Sequence, residues 1–194
     1  MAHHTDSGIP AGHYDDFHVI IVPGLHNSGP GLWQTLWQHA HPEFVRVQQN
    51  NWDFPRLDEW VGRLDALRER DPRPALLVAH SFGCLTAACS AARNPERLAG
   101  LLLVAPAHPD RFGVAAALPG TALPASSILV SSANDPWMPA ATAASYAARW
   151  GSELVEGGLL GHINAESGLG AWPDGQRLLR RVAEKARSEL LETV

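Results

Sequence analysis

The strongest constraint on the fold of this chain is an alternation that repeats along its length: a short apolar run stops at a loop, and a segment of helical periodicity follows. Phe17-His18-Val19-Ile20-Ile21-Val22 stops at Pro23-Gly24, and Leu32, Trp33, Leu36 and Trp37 then recur at helical spacing until His41-Pro42. Phe44 to Val47 predicts a second short strand, and Leu57, Trp60, Val61 and Leu64 mark the apolar face of a helix from about Arg56 to Arg70. Ala75-Leu76-Leu77-Val78-Ala79 follows Pro74 and leads at once into Ser81 and an alanine-rich helix reaching about Arg93. Leu98 to Val104 and Ser127 to Ser132 predict further strands, the second followed by a helix from Pro139 to Trp150. Glu153 to Val155 adds an edge strand. The last helix runs from Pro173 to about Leu191, with Leu178, Leu179, Val182, Ala186 and Leu190 facing inward.

Strands that are apolar throughout, rather than at every second position, are buried on both faces, as in parallel sheets covered by helices. The alternation therefore predicts an α/β fold of three layers, with a mostly parallel sheet of about six strands between two helical layers. A length of 194 residues suits one such domain. No internal repeat, charge block or linker marks a boundary, so the domain is expected over 17–194. The polar, histidine- and glycine-rich stretch 1–16 reads as a mobile tail in which His3 and His4 are solvated rather than metal-ligating. Residues 105–126, rich in proline, alanine and glycine, form the one long irregular segment, expected to border the functional site.

Composition excludes several classes of partner. The net charge of −5 comes from scattered acids and bases, with no Lys/Arg block able to neutralise a phosphate backbone, so nucleic acid is not an expected partner. No apolar run approaches the ~20 residues of a membrane span. The N-terminus lacks a basic and apolar secretory signal, and Cys84 and Cys89, five positions apart on one helix, read as free buried thiols. A soluble cytoplasmic protein is the expectation.

Ala79-His80-Ser81-Phe82-Gly83 lies between a strand and a helix and varies the G-x-S-x-G nucleophile elbow, with Ala79 in place of the first glycine. The sharp turn demands small residues at its ends, which Ala79 and Gly83 supply. Taken alone, the pentapeptide is equally consistent with Ser81 capping the next helix. The α/β-hydrolase reading requires an acid after a later strand and then a histidine. Asp135, in Ala133-Asn134-Asp135-Pro136, meets the first requirement, with Asp110 as its rival. Of the ten histidines, His162 alone sits late in a glycine-rich loop before the terminal helix. Backbone amides of Phe82, next to the nucleophile, and Leu25, after the first strand, are the expected oxyanion donors. His26 and Asn27 of that loop are candidate pocket residues, while Trp137 either lines the acyl pocket or packs in the core.

On these motifs the chain resembles the YdeN and retinoblastoma-binding-protein-9-like serine hydrolases. The resemblance rests on the strand-Pro-Gly opening before a tryptophan-rich helix, His80-Ser81-Phe82-Gly83, Ser132-Ala133-Asn134-Asp135-Pro136, and Gly161-His162-Ile163-Asn164-Ala165-Glu166-Ser167-Gly168. It implies a three-layer α/β-hydrolase fold without a large cap domain and a Ser-Asp-His triad, and it leaves the substrate open.

The expected chemistry is hydrolysis of a small acyl substrate, an ester or else an amide or thioester, through an acyl-enzyme. Ser81 is the nucleophile, His162 the general base and Asp135 the residue that orients it. No cofactor or metal is called for. The rivals are a protein-binding role on a hydrolase scaffold and acyl transfer to an acceptor other than water.

Overall fold

The computed structural model describes residues 13–192. Six strands, β1 (His18–Val22), β2 (Val45–Arg46), β3 (Ala75–His80), β4 (Leu98–Val104), β5 (Ser127–Ser131) and β6 (Glu153–Glu156), form one sheet. Their order is β2-β1-β3-β4-β5-β6, and every neighbouring pair is parallel. The five helices are α1 (Trp33–Ala40), α2 (Leu57–Arg68), α3 (Phe82–Arg93), α4 (Ala140–Trp150) and α5 (Pro173–Glu192).

Alternate side chains of β1, β3, β4 and β5 enter opposite cores. Ile20, Val22, Leu77, Ala79, Leu101, Leu103 and Leu129 pack with residues of α2, α3 and α4, including Leu64 and Trp150. Val19, Ile21, Leu76, Val78, Leu102, Val104 and Val130 pack with Trp33 and Trp37 of α1 and Leu179 and Val182 of α5. Both faces are thus dry, which explains why the strands are apolar without a break. Burying each such side chain is worth roughly 1.5–3 kcal/mol, so no central strand could be turned to water.

The strand order reverses at β1, whose successor β2 lies on one side while β3 lies on the other. The segments leaving β1 and β3 pass to opposite faces, α1 joining one core and α3 the other. A crevice opens where they part, at the carboxyl ends of the strands, and such switch points are where ligands bind in open α/β sheets.

Three expectations need correction. Tyr14, assigned to the tail, is only 2% exposed, stacks edge-on against Phe44, and accepts the Phe17 amide on its carbonyl, so the packed domain begins before residue 17. His3, His4 and the rest of 1–12 lie outside the described residues. Leu190 is 45% exposed rather than inward. The 20-residue α5 is about 30 Å long, whereas the seven-residue β4 that it crosses spans about 23 Å, so its last turn overhangs the sheet. Finally, 105–126 is not wholly irregular: 3₁₀ turns form at Pro109–Phe112 and Ala115–Ala117. Among the described residues, no helix is long and apolar enough to cross a membrane. Cys84 and Cys89 are free and buried.

Candidate active site

Strand β3 ends at His80 and helix α3 begins at Phe82, so the chain reverses direction at Ser81 alone. That residue adopts φ 55°, ψ −124°, a region strained for any residue with a Cβ. Ser81 makes no side-chain cap hydrogen bond to α3, which removes the helix-cap reading.

Two glycines let the β1 loop press against this turn. A Cβ on Gly83 would stand 2.2 Å from the Val22 carbonyl oxygen and 2.6 Å from that of Pro23. A Cβ on Gly24 would stand 2.7 Å from the Cβ of Ser81. Fully buried Ala79 fits where the motif usually has glycine.

A line of hydrogen bonds leads away from the serine. Ser81 Oγ lies 2.9 Å from His162 Nε2, and His162 Nδ1 lies 3.0 and 2.9 Å from the two carboxylate oxygens of Asp135. A carboxylate only accepts, so Nδ1 carries the proton and Nε2 is left to accept from the serine hydroxyl. The Asp135 side chain is 1% exposed and also accepts the Trp137 amide at 2.8 Å. Asp110, by contrast, is 72% exposed on the Pro109–Phe112 turn, with His108 3.9 Å away, and does not approach His162.

The loop carrying His162 is held from three sides. From the acid loop, Asn134 Oδ1 accepts the Gly161 amide at 2.8 Å and Ser132 Oγ accepts the Leu160 amide at 3.0 Å. From α1, Trp33 Nε1 donates to the Ile163 carbonyl at 3.0 Å. From the elbow, His80 Nε2 donates to the His162 carbonyl at 2.9 Å. Burial, aided by the neighbouring His162, lowers the pKa of His80 to about 4, which keeps this ring neutral.

In the β1 loop the His26 amide is bound to the Trp52 carbonyl, the Asn27 amide to the Gly24 carbonyl and the Ser28 amide to Asn27 Oδ1. The amides of Leu25 and Phe82 have no acceptor among the described residues and remain available to a ligand. Arg46 braces the loop through Asn27 Oδ1 and the Ser28 carbonyl. Buried Gln34 of α1 bonds Ser28 Oγ and donates to the Val78 carbonyl.

Ser81 and His162 open into a cavity of about 640 Å³ whose walls include Leu25, His26, Asn27, Arg111, Phe112 and Trp137. Trp137 is 50% exposed, so it lines the cavity rather than the core. The irregular segment borders the site through Arg111 and Phe112, as expected. Sequence reading missed the positioning residues His80, Trp33, Gln34, Ser132 and Asn134. Only His80 and Asn134 left a signal, by standing beside Ser81 and Asp135. Among the described residues, no group of three or more His, Cys, Asp or Glu side chains is placed to hold a metal ion.

Comparison with known proteins places this geometry in company. The serine hydrolase family model matches residues 19–181. A structure described as a YdeN-like hydrolase, from Pectobacterium atrosepticum, is 35% identical over 90% of this chain and 93% of its own, with a TM-score of 0.83. The ydeN gene product of Bacillus subtilis (21% identity, 86% and 98% covered, TM-score 0.71) and the Bacillus cereus carboxylesterase (14% identity, 89% and 90% covered, TM-score 0.60) share the fold. None of the curated proteins compared with the chain matches it.

Proposed function

This chain belongs to the serine hydrolase family, as a YdeN-like member of the α/β-hydrolase superfamily, and from that premise we propose that it cleaves small esters with Ser81, His162 and Asp135 as a catalytic triad. The observation that carries the reading is the hydrogen-bonded line from Ser81 Oγ through His162 to a buried Asp135, at the floor of an open cavity.

As Ser81 Oγ attacks the acyl carbon, its proton passes to His162 Nε2. Asp135 stays ionised, holds the ring in the tautomer that accepts at Nε2 and stabilises the imidazolium. The tetrahedral oxyanion is bound by the amides of Leu25 and Phe82, which have no other acceptor to leave. Collapse breaks the bond to the leaving alcohol, which takes the proton from Nε2. Water then gives a proton to Nε2 while attacking the acyl carbon, and the acid departs as Ser81 Oγ recovers its hydrogen. A cavity of about 640 Å³ without an inserted cap suits short acyl chains.

A fluorophosphonate probe and esters of graded chain length test the reading. The expected result is labelling of the wild-type chain that disappears in Ser81→Ala, with turnover highest on short-chain esters. An unlabelled wild-type chain that turns over no ester defeats the hydrolase and leaves a binding role on its scaffold. Preferred cleavage of long-chain esters overturns the substrate size, and esters of an added alcohol or amide of an added amine among the products mark acyl transfer.

A further inference from the structure

One wall of the cavity carries a guanidinium with no acid bonded to it. Arg111 lies on the 3₁₀ turn after β4 with its guanidinium carbon 4.9 Å from the centre of the Trp137 ring. The main chain of Trp137 is held by its amide, which donates to Asp135 Oδ1. The indole orients the guanidinium by a cation–π contact while leaving the N–H groups at its edge uncovered. Those groups meet no hydrogen-bond or ion-pair partner among the described residues, unlike the guanidinium of Arg46, which is spent bracing the β1 loop. His108, three residues earlier, also lines the cavity, while its Nδ1 is buried, 3.9 Å from Asp110. A guanidinium held in place with its N–H groups unsatisfied, on the cavity wall that Ser81 shares, makes a place for an acceptor with two oxygens.

Resting on the hydrolase reading of this site, we propose that the substrate is a monoanionic ester whose carboxylate is held by the Arg111 fork with His108 beside it. A single guanidinium matches a single charge. A dianion such as a phosphate monoester is disfavoured, because Glu166 lines the same cavity and the chain carries a net charge of −5. Nothing in the bond-making steps changes: the carboxylate stays on the acyl or the alcohol part and only anchors it.

The test compares matched esters with and without the charge: phenyl hydrogen adipate against phenyl methyl adipate, and 4-butyryloxybenzoate against its methyl ester. For at least one pair kcat/KM is expected to favour the anion by about 10-fold or more. That ratio falls toward one in Arg111→Gln, is partly kept in Arg111→Lys, and rises in Glu166→Gln. Because the ratio is taken within one preparation, misfolding of a variant cancels. A wild-type preference for the neutral member of both pairs, or a ratio untouched by Arg111→Gln, overturns the inference. Binding is scored separately from catalysis by NMR titration of Ser81→Ala, in which monomethyl adipate should bind more tightly than dimethyl adipate and lose that advantage in Ser81→Ala/Arg111→Gln. Equal affinities sink the anion site even if esters are hydrolysed. Retained selectivity with no ester turnover sinks the hydrolase and keeps the site.

Discussion

His80 donates from Nε2 to the main-chain carbonyl of His162 across 2.9 Å, so the residue before Ser81 holds the backbone of His162. The contact spans 82 residues of sequence and ties the elbow to the loop that must deliver the imidazole. Loss of the donor should let that loop shift. His80→Phe is expected to lower kcat on a neutral ester by about 10- to 100-fold with little change in KM, since small misplacements of a catalytic group cost rates of that order. His80→Gln, which keeps a donor, should recover part of the loss. Steady-state kinetics on the two variants decide it, and a rise in KM at constant kcat would contradict a positioning role.

The same residue sets a pH dependence of stability. Burial holds the His80 ring at a pKa of about 4, against 6.5 when unfolded. Between these values the unfolded chain binds the extra proton, so stability falls as pH drops from about 6.5 to about 4 and the contribution is whole only above that window. Its full size is about 3 kcal/mol. Burial also lowers the pKa of His18, which acts in the same direction. Urea unfolding at several pH values should show the slope, reduced in His80→Gln; a chain that grows more stable on acidification through this range would refute the assignment.

Asp135 and Asp110 are separable by substitution. Asp135→Asn swaps the acceptor that fixes the His162 tautomer for an amide and is expected to reduce kcat by about 10⁴ with the fold intact. Asp110→Asn, at an exposed side chain with no hydrogen bond to His162, should stay within about twofold. Equal losses in both would mean that His162 takes its orientation from elsewhere.

Asn134 gives a further handle on the histidine loop, because its Oδ1 accepts both the Gly161 amide and the Ser132 hydroxyl. Asn134→Leu keeps the size, removes the acceptor of the exposed Gly161 amide and leaves the Ser132 hydroxyl to the Gly158 carbonyl 3.3 Å away. Chemical denaturation should register a loss of about 0.5–1.5 kcal/mol, accompanied by reduced turnover. An unchanged denaturation midpoint would show that the tie is dispensable.

What could be read from sequence follows from what leaves a local pattern. Strands buried on both faces show as apolar runs, so β1, β3, β4 and β5 were legible, as were helices with an apolar stripe. Ser81, Asp135 and His162, which the structure joins in one hydrogen-bonded line, could be singled out because each sits in a distinctive loop composition. The supports were not. Gln34 is wholly buried, yet in sequence it is a polar residue of an amphipathic helix, and its partners Ser28 and Val78 lie elsewhere in the chain. Trp33 reads as one apolar position among several, and its bond to Ile163 depends on how α1 and the histidine loop dock. Leu190 failed for a related reason: periodicity gives the face of a helix but not the length of the sheet beneath it.

The close approach of the β1 loop to the elbow predicts a separation between stability and activity. A Cβ at position 83 meets two backbone carbonyls that have no room to retreat, so Gly83→Ala must push α3 away from β1, at a cost of about 1–3 kcal/mol or more. A Cβ at position 24 meets Ser81 Cβ at 2.7 Å and lies 3.2 Å from the Phe82 amide nitrogen, so Gly24→Ala should relax by displacing the proposed nucleophile and the proposed oxyanion donor together. Its kcat is expected to fall by ~10² while its melting temperature falls less than that of Gly83→Ala. Ala79→Gly, which installs the residue usual in the motif, introduces no clash and should keep activity while losing about 0.5–1 kcal/mol to backbone entropy. Melting temperature and kcat measured on the three variants would overturn this account if Gly24→Ala kept full activity, since the loop and the serine would then not be in contact in solution.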